Sequence, residues 1–337
     1  MVVSVSGMNT PVMTLPAAVA GYASPQPTAT RVTTPNRAAP ARVGTFVTCA
    51  PRSAATTQRP RSAGRLALTP PSSSSLPPAA AEAQTLPVLT VGVIEVPHRF
   101  GDVAAQLALV DAALSALVAE GPVDLAVLPE CALTGYVSDR GGFDLSPFAE
   151  PLDGPTTDAL RDLARRHGLA LCAPLVERDD RGRCFNTTQV LAPDGARLAH
   201  YRKRHPWWPE RWAARGDIGT PTFSLAGATI TVAVCYDIHF VSRESAHALD
   251  SADLLLFPSA WCDASPVDQR DEMLPALARR HRVAVAHANW GRGSRAVKGQ
   301  GRSRVVDVDG SVAAECAPTL ARGVQTLRWT YGGPPRP

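Results

Sequence analysis

Short apolar runs and amphipathic stretches alternate through residues 88–329, and the alternation stops upstream. Val88–Val96 and Asp124–Leu128 read as buried strands. Between them, Val103, Leu107, Val110, Leu114 and Leu117 recur at helical spacing, which predicts a helix over Asp102–Ala119. A loop runs from Thr134 to Phe148, and a helix capped by Thr156 is expected over Thr156–His167, stopped by Gly168. Strands follow at Leu169–Glu177, Asn186–Leu191 and Arg197–Arg202, the last two turning over Pro193-Asp194-Gly195. The second half repeats the grammar. Strands are expected at Thr222–Leu225, Thr229–Val234, Asp253–Phe257 and Val283–Ala288, with helices at Ser242–Leu249 and Asp268–Arg282. A hairpin over Asp309-Gly310 joins Arg302–Val308 to Val312–Cys316, and Val324–Trp329 closes the series. The order βαβαββ followed by ββαβαβ predicts two sheets covered outside by helices.

Three strand ends carry groups with chemistry. Leu128 runs into Pro129-Glu130, Arg202 into Lys203, and Val234 into Cys235-Tyr236-Asp237. Strand ends are where an α/β sheet presents functional groups. A carboxylate can take a proton, a thiol can attack, and an ammonium can hold negative charge. The lysine is informative because the chain has 34 Lys plus Arg, of which only Lys203 and Lys298 are lysines. A compact ammonium kept inside Tyr201-Arg202-Lys203-Arg204 points to a position that a planar guanidinium would not fit. Each residue also has a plain reading: a buried strand cysteine, a carboxylate paired with arginine, a solvated surface lysine.

Composition divides the chain. The first 81 residues hold seven Arg, no Asp or Glu, and a run from Pro70 to Pro78 of Pro, Ser and Leu. No amphipathic period there could offset the entropy of ordering, so residues 1–86 are expected to be a disordered extension and 87–331 one domain. The first 81 residues contribute +7 to the net charge of +4, so the remainder is about −3. No nucleic-acid surface is expected. No apolar run approaches the roughly 20 residues of a membrane span, and no charged-then-apolar leader appears, so a cytoplasmic location is expected. Organellar import by the Arg- and Ser-rich extension is the alternative. The seven cysteines show no C-x-x-C pair, and the histidines no H-E-x-x-H. Cys131, Cys172 and Cys184 read as small core residues, and neither a metal nor a cofactor is expected.

These segments resemble the nitrilase superfamily of carbon–nitrogen hydrolases over about residues 88–330. The resemblance is carried by Leu128-Pro129-Glu130 with Leu133-Thr134-Gly135-Tyr136, by Tyr201-Arg202-Lys203-Arg204-His205, and by Val234-Cys235-Tyr236-Asp237. Phe257-Pro258-Ser259-Ala260-Trp261, Ala288-Asn289-Trp290 and Gly301-Arg302-Ser303 keep the same order. It implies a four-layer αββα sandwich, a Glu130–Lys203–Cys235 triad, and homodimers or larger assemblies. In that scheme Cys235 is the nucleophile and Glu130 the base, while Lys203 and the Tyr236 N–H face the oxyanion. Glu210 matches loosely a second glutamate that would orient Lys203 and polar substrate atoms; a solvated loop residue is the level alternative. Trp207, Trp208 and Trp212 follow the lysine as pocket walls or structural anchors.

The chain departs from the pattern at His239-Phe240-Val241-Ser242-Arg243-Glu244 and at Leu277-Ala278-Arg279-Arg280-His281, where amidase members carry Arg-Phe-Pro-Glu and Arg-Ala-x-Glu-Asn. The expected activity is hydrolysis of a small linear amide or N-carbamoyl compound through a thioester, with release of ammonia. Alternatives are a nitrilase, or a non-catalytic interaction protein on the same fold.

Overall fold

The computed structural model describes residues 88–261, 268–293, 299–316 and 324–332. The expectation of a disordered 1–86 segment lies outside the described residues, as do Cys262 and Lys298. Chain order is β1 (Leu89–Glu95), α1 (Val103–Ala119), β2 (Leu125–Val127), α2 (Pro155–His167), β3 (Ala170–Arg178), β4 (Cys184–Leu191) and β5 (Arg197–Arg202). There follow β6 (Thr222–Leu225), β7 (Ala228–Val232), α3 (Val241–Glu244), α4 (Ala246–Ser251), β8 (Leu254–Pro258), α5 (Arg270–His281), β9 (Ala284–Ala288), β10 (Arg304–Val306), β11 (Val312–Glu315) and β12 (Gln325–Tyr331).

The strands make two six-stranded sheets, ordered β12-β1-β2-β3-β4-β5 and β11-β10-β9-β8-β7-β6. Parallel pairing holds the centres, β1-β2-β3 and β7-β8-β9. Hairpins extend the edges. The facing sides of the sheets share one apolar core that includes Val91, Val127, Cys172, Ile230, Leu256 and Ala286. On the outer side of the first sheet, Leu114 and Leu117 of α1 and Leu160 and Leu163 of α2 pack on Ala126 and Leu171. On the outer side of the second, Leu274 and Leu277 of α5 pack on Leu255 and Val285. This is the expected αββα sandwich. Alternation along each strand produces it, since odd and even positions feed different cores.

Close packing fixes individual residues. A Cβ on Gly92 would stand 2.1 Å from Leu117 Cδ2, so glycine lets α1 lie against β1. The cap expected at Thr156 is corrected: Pro155 opens α2 with its preset φ, and Gly154 takes the cap position. The Thr156 N–H donates instead to the Glu150 carboxylate at 3.1 Å. The helix expected over Ser242–Leu249 is broken in two at Ser245, whose φ of −130° and ψ of 28° lie outside the helical region and interrupt the spiral. The strand expected to reach Val234 stops at Val232, and Cys235–His239 form a 3-10 turn. Finally, β12 returns to the first sheet and pairs antiparallel with β1 from Leu89↔Tyr331 to Glu95↔Gln325. No local pattern announces that pairing.

Candidate active site

The two sheets bring their carboxyl-terminal strand ends to one place. After β2 the chain turns at Glu130-Cys131, with Cys131 at φ +51°; after β7 it turns at Cys235, with φ +46°. Left-handed backbone is uncommon for residues other than glycine and costs energy that the surrounding packing must supply.

Glu130 and Lys203 are fully buried and joined, Lys203 Nζ donating to Glu130 Oε1 at 2.7 Å. The same oxygen accepts from Asn186 Nδ2 at 2.7 Å, and Glu130 Oε2 accepts the Ala260 N–H at 2.7 Å. A carboxylate offers about four lone-pair sites. Among the described residues three fixed donors occupy these sites, so the carboxylate is oriented and a fourth site is left without a donor. Lys203 Nζ donates its second bond to Glu210 Oε1 at 2.7 Å. Two of its three N–H groups are thus used by carboxylates.

Glu210 does not sit in solvent. It is 2% exposed, and besides Lys203 it takes the Tyr136 hydroxyl on Oε1 and the Trp207 N–H on Oε2 at 3.3 Å. Burial, opposed by Lys203 and reinforced by Glu130, raises its pKa to about 7. For Lys203, burial works against the ammonium, but the charges of Glu130 and Glu210 outweigh it and hold the pKa well above the ordinary lysine value. An unpaired buried ammonium would cost several kcal/mol; two carboxylates are what keep this one charged.

Cys235 is half-buried. Burial first, and then the Glu130 charge, push its thiol pKa well up, with Lys203 pulling the other way. The resting sulfur is a thiol, so any attack by it needs a base. Tyr236 stands in the first turn of the 3-10 helix, where backbone N–H groups have no intrahelical acceptor.

Two ties hold the halves in register. The Ala260–Glu130 bond joins the end of β8 to the end of β2. Asp237 does the same for β5 and the cysteine turn. Its Oδ2 accepts from Tyr201 Oη at 2.7 Å and from Val234 N at 3.1 Å, and its Oδ1 accepts from His205 N at 2.9 Å. The residues two positions before and after Lys203 are therefore pinned to the turn that carries Cys235. Within the first sheet Asn186 binds the pair together, because its backbone carbonyl accepts the Lys203 N–H at 2.8 Å while its side-chain amide holds Glu130.

The structure thus brings Glu130, Lys203 and Glu210 into direct contact, with Cys235 and Tyr236 on the adjoining turn. Sequence reasoning missed Asn186 and the Ala260 N–H, and quoted Asp237 without a role. Among the tryptophans, Trp207 packs between Tyr136 and Phe143, Trp212 joins the same apolar cluster, and Trp208 is 69% exposed. Cys172 and Cys184 are buried core residues as expected; Cys131 is buried too, but beside the site. No group of three or more His, Cys, Asp or Glu among the described residues could hold a metal ion. No helix among them is long and apolar enough to cross a membrane.

Residues 90–328 match the family model for carbon-nitrogen hydrolase. The chain belongs to the carbon-nitrogen hydrolase family. This hydrolase is 31% identical over 191 residues to "Hydrolase in pqqF 5'region" of Pseudomonas protegens, a match covering 56% of the chain and 66% of that relative, just under two thirds. It is 29% identical over 240 residues to "(R)-stereoselective amidase" of Pseudomonas sp., covering 71% of the chain and 85% of the relative. Among solved structures it resembles a mutant of the amidase from Nesterenkonia sp. AN1, with a TM-score of 0.62 at 25% identity over 73% of this chain and 91% of that one. That structure shows covalent addition of the acetamide moiety of fluoroacetamide at the active-site cysteine of the amidase. The sandwich is the nitrilase-superfamily fold, and the enzyme is an amidase-like carbon–nitrogen hydrolase.

Proposed function

We propose that this enzyme hydrolyses the C–N bond of a small linear amide or N-carbamoyl compound through a thioester on Cys235, releasing ammonia. The observation that carries the reading is a fully buried Glu130–Lys203 pair at 2.7 Å, set beside a thiol on a left-handed turn. Cys235 Sγ attacks the carbonyl carbon while its proton passes to the open lone-pair site of Glu130. The carbonyl oxygen takes the negative charge and is met by the third N–H of Lys203 and by the Tyr236 backbone N–H. Glu130 then gives the proton to the leaving nitrogen, the C–N bond breaks, and ammonia departs from the thioester. Water follows by the same route, its proton going to Glu130 as it attacks, and the acid leaves as the thiol reforms. Losing one oxyanion donor in such sites costs about 3 kcal/mol, or roughly two orders of magnitude in rate.

The covalent addition of the acetamide moiety of fluoroacetamide at the cysteine of the Nesterenkonia amidase supports a nucleophilic cysteine at this place in the fold. The test is ammonia release from a panel of primary amides, carbamoyl amino acids, carbamoyl amines and nitriles, with mass spectrometry of the Cys235 peptide during turnover. Release from an amide or carbamoyl compound with an acyl adduct on Cys235 is the expected result. Turnover confined to nitriles would make it a nitrilase, and no turnover with an unreactive Cys235 would leave a binding protein on the hydrolase fold.

A further inference from the structure

We propose that His98 is a positioning residue of this site: by accepting two backbone N–H groups it sets the Tyr136 phenol against Glu210 and, through Glu210, fixes Lys203. The proposal rests on the amide-cleaving reading above for its rate predictions, but not for its geometry.

His98 lies just past β1 and is 1% exposed. Its Nε2 accepts from Tyr136 N at 3.0 Å and from Val137 N at 3.2 Å. Two successive N–H groups converge on one lone pair, so Nε2 carries no proton and the ring is the neutral imidazole. The convergence is set by Gly135, whose φ of +71° turns the chain and whose missing Cβ would stand 2.4 Å from the Arg99 carbonyl oxygen. On its other side the ring meets Trp290 edge-on at 4.2 Å. His98 N donates to Gly291 O at 3.3 Å, and a Cβ on Gly293 would fall 1.6 Å from the His98 carbonyl oxygen. His98 therefore joins the two loops, its ring holding the loop after β2 and meeting Trp290, and its backbone meeting Gly291 and Gly293 after β9.

The locked loop presents Tyr136, 1% exposed, held by Phe143, Trp207 and Trp290 at ring distances of 5.7, 6.5 and 5.8 Å. Its hydroxyl donates to the same Glu210 oxygen that accepts Lys203 Nζ. Without that hydroxyl the carboxylate keeps Lys203 and the Trp207 N–H but loses the donor that fixes Oε1 from the side of the loop, and the direction of the remaining Lys203 N–H is held less firmly. Without His98 as acceptor, two buried N–H groups lose their partner and the phenol shifts with the loop.

The test is a double-mutant cycle on the full chain, with His98→Leu, Tyr136→Phe and both together, plus His98→Gln, whose amide oxygen can accept where Nε2 does. Since a hydrogen bond to a charged group is at stake, each single change is expected to lower kcat roughly 10- to 100-fold with KM little altered. The double variant should be no slower than the slower single, because both act through the same carboxylate. His98→Gln should recover most of the His98→Leu loss. Melting temperature is followed throughout. A second readout needs no substrate: the rate of iodoacetamide labelling of the Cys235 peptide, expected to fall in both singles and no further in the double. If wild type cleaves no amide, the proposed function fails while labelling still reads the coupling. Additive losses in the cycle, a His98→Gln no better than His98→Leu at equal melting temperature, or a lowered melting temperature with kcat unchanged, would each overturn the positioning role.

Discussion

Two cysteines occupy matching places in the two halves of the molecule. Cys131 and Cys235 each follow a central parallel strand, each adopts the left-handed region, at φ +51° and +46°, and each feels the charges of Glu130 and Lys203. Burial is the first cause that raises the pKa of both thiols. They part in access. Cys131 is 2% exposed and packed in an apolar cluster with Tyr136, Ala260 and Trp290, its Sγ 4.0 Å from Asn186 Oδ1. Cys235 is half-buried and starts a turn whose first N–H groups are unclaimed by the helix. On the proposed mechanism a neighbouring lysine and a strained turn are not enough for a nucleophile; an opening for the carbonyl and a donor for its oxygen must come with them.

The comparison can be broken most directly by swapping the cysteines. Cys235→Ala is expected to abolish ammonia release while substrate still binds, and Cys131→Ala to keep kcat/KM within about tenfold of wild type, as befits a group outside the bond-making step. An acyl adduct found on Cys131 would reverse the assignment. Next in size is Lys203. Lys203→Arg is expected to lose roughly two orders of magnitude in kcat/KM, nearly as much as Lys203→Ala, because a guanidinium cannot place its donors between two carboxylates at 2.7 Å. An arginine variant within a few-fold of wild type would return the residue to a simple charge role.

A smaller effect concerns pH. Glu210 has a folded pKa of about 7 against an ordinary 4.5, so the folded protein holds a proton there that the unfolded chain releases. Its contribution to stability is therefore lost as pH rises from 4.5 to 7. Chemical denaturation across that window should show a slope that Glu210→Gln flattens. Wild-type kcat/KM should also rise through pH 7 as Glu210 ionises and grips Lys203, an inflection absent from the Gln variant. The smallest effect expected is at Asn186. Asn186→Asp keeps the carbonyl that holds Lys203 but places a carboxylate against Glu130, and a loss of roughly tenfold is expected, as for one hydrogen bond to a charge. It separates the side-chain bond from the backbone one.

Strand ends were legible in the sequence because a buried strand announces itself by its run of apolar residues, and Glu130, Lys203 and Cys235 each stand where such a run stops. The lysine stood out further against an arginine-rich background. What was not legible lies in partners that carry no local mark. The donor to Glu130 Oε2 is a backbone N–H 130 positions away, at Ala260. Asn186 sits inside a strand that reads as core, and its role comes from which residue lies across from it. The break at Ser245 was also hidden, since Ser242–Leu249 keeps a helical period across a residue whose backbone leaves the helix. Glu210 could be weighed only against solvent, because its burial depends on Tyr136, 74 positions earlier.

The pairing of β12 with β1 bears on how the molecule is made. Thr90 and Thr330, whose hydroxyls lie 3.3 Å apart, are separated by 240 positions. While the ribosome is still delivering the second sheet, β1 has β2 on one flank and an empty row of N–H and C=O groups on the other. Such an open edge is a template for another strand, and closing it waits for the most distant contact in the domain, the kind that slows folding. A nascent chain stalled before residue 325 would hold Glu130 and Lys203 already translated on a sheet still able to recruit the wrong neighbour. The Glu130–Lys203 pair is thus synthesised early but sheltered last.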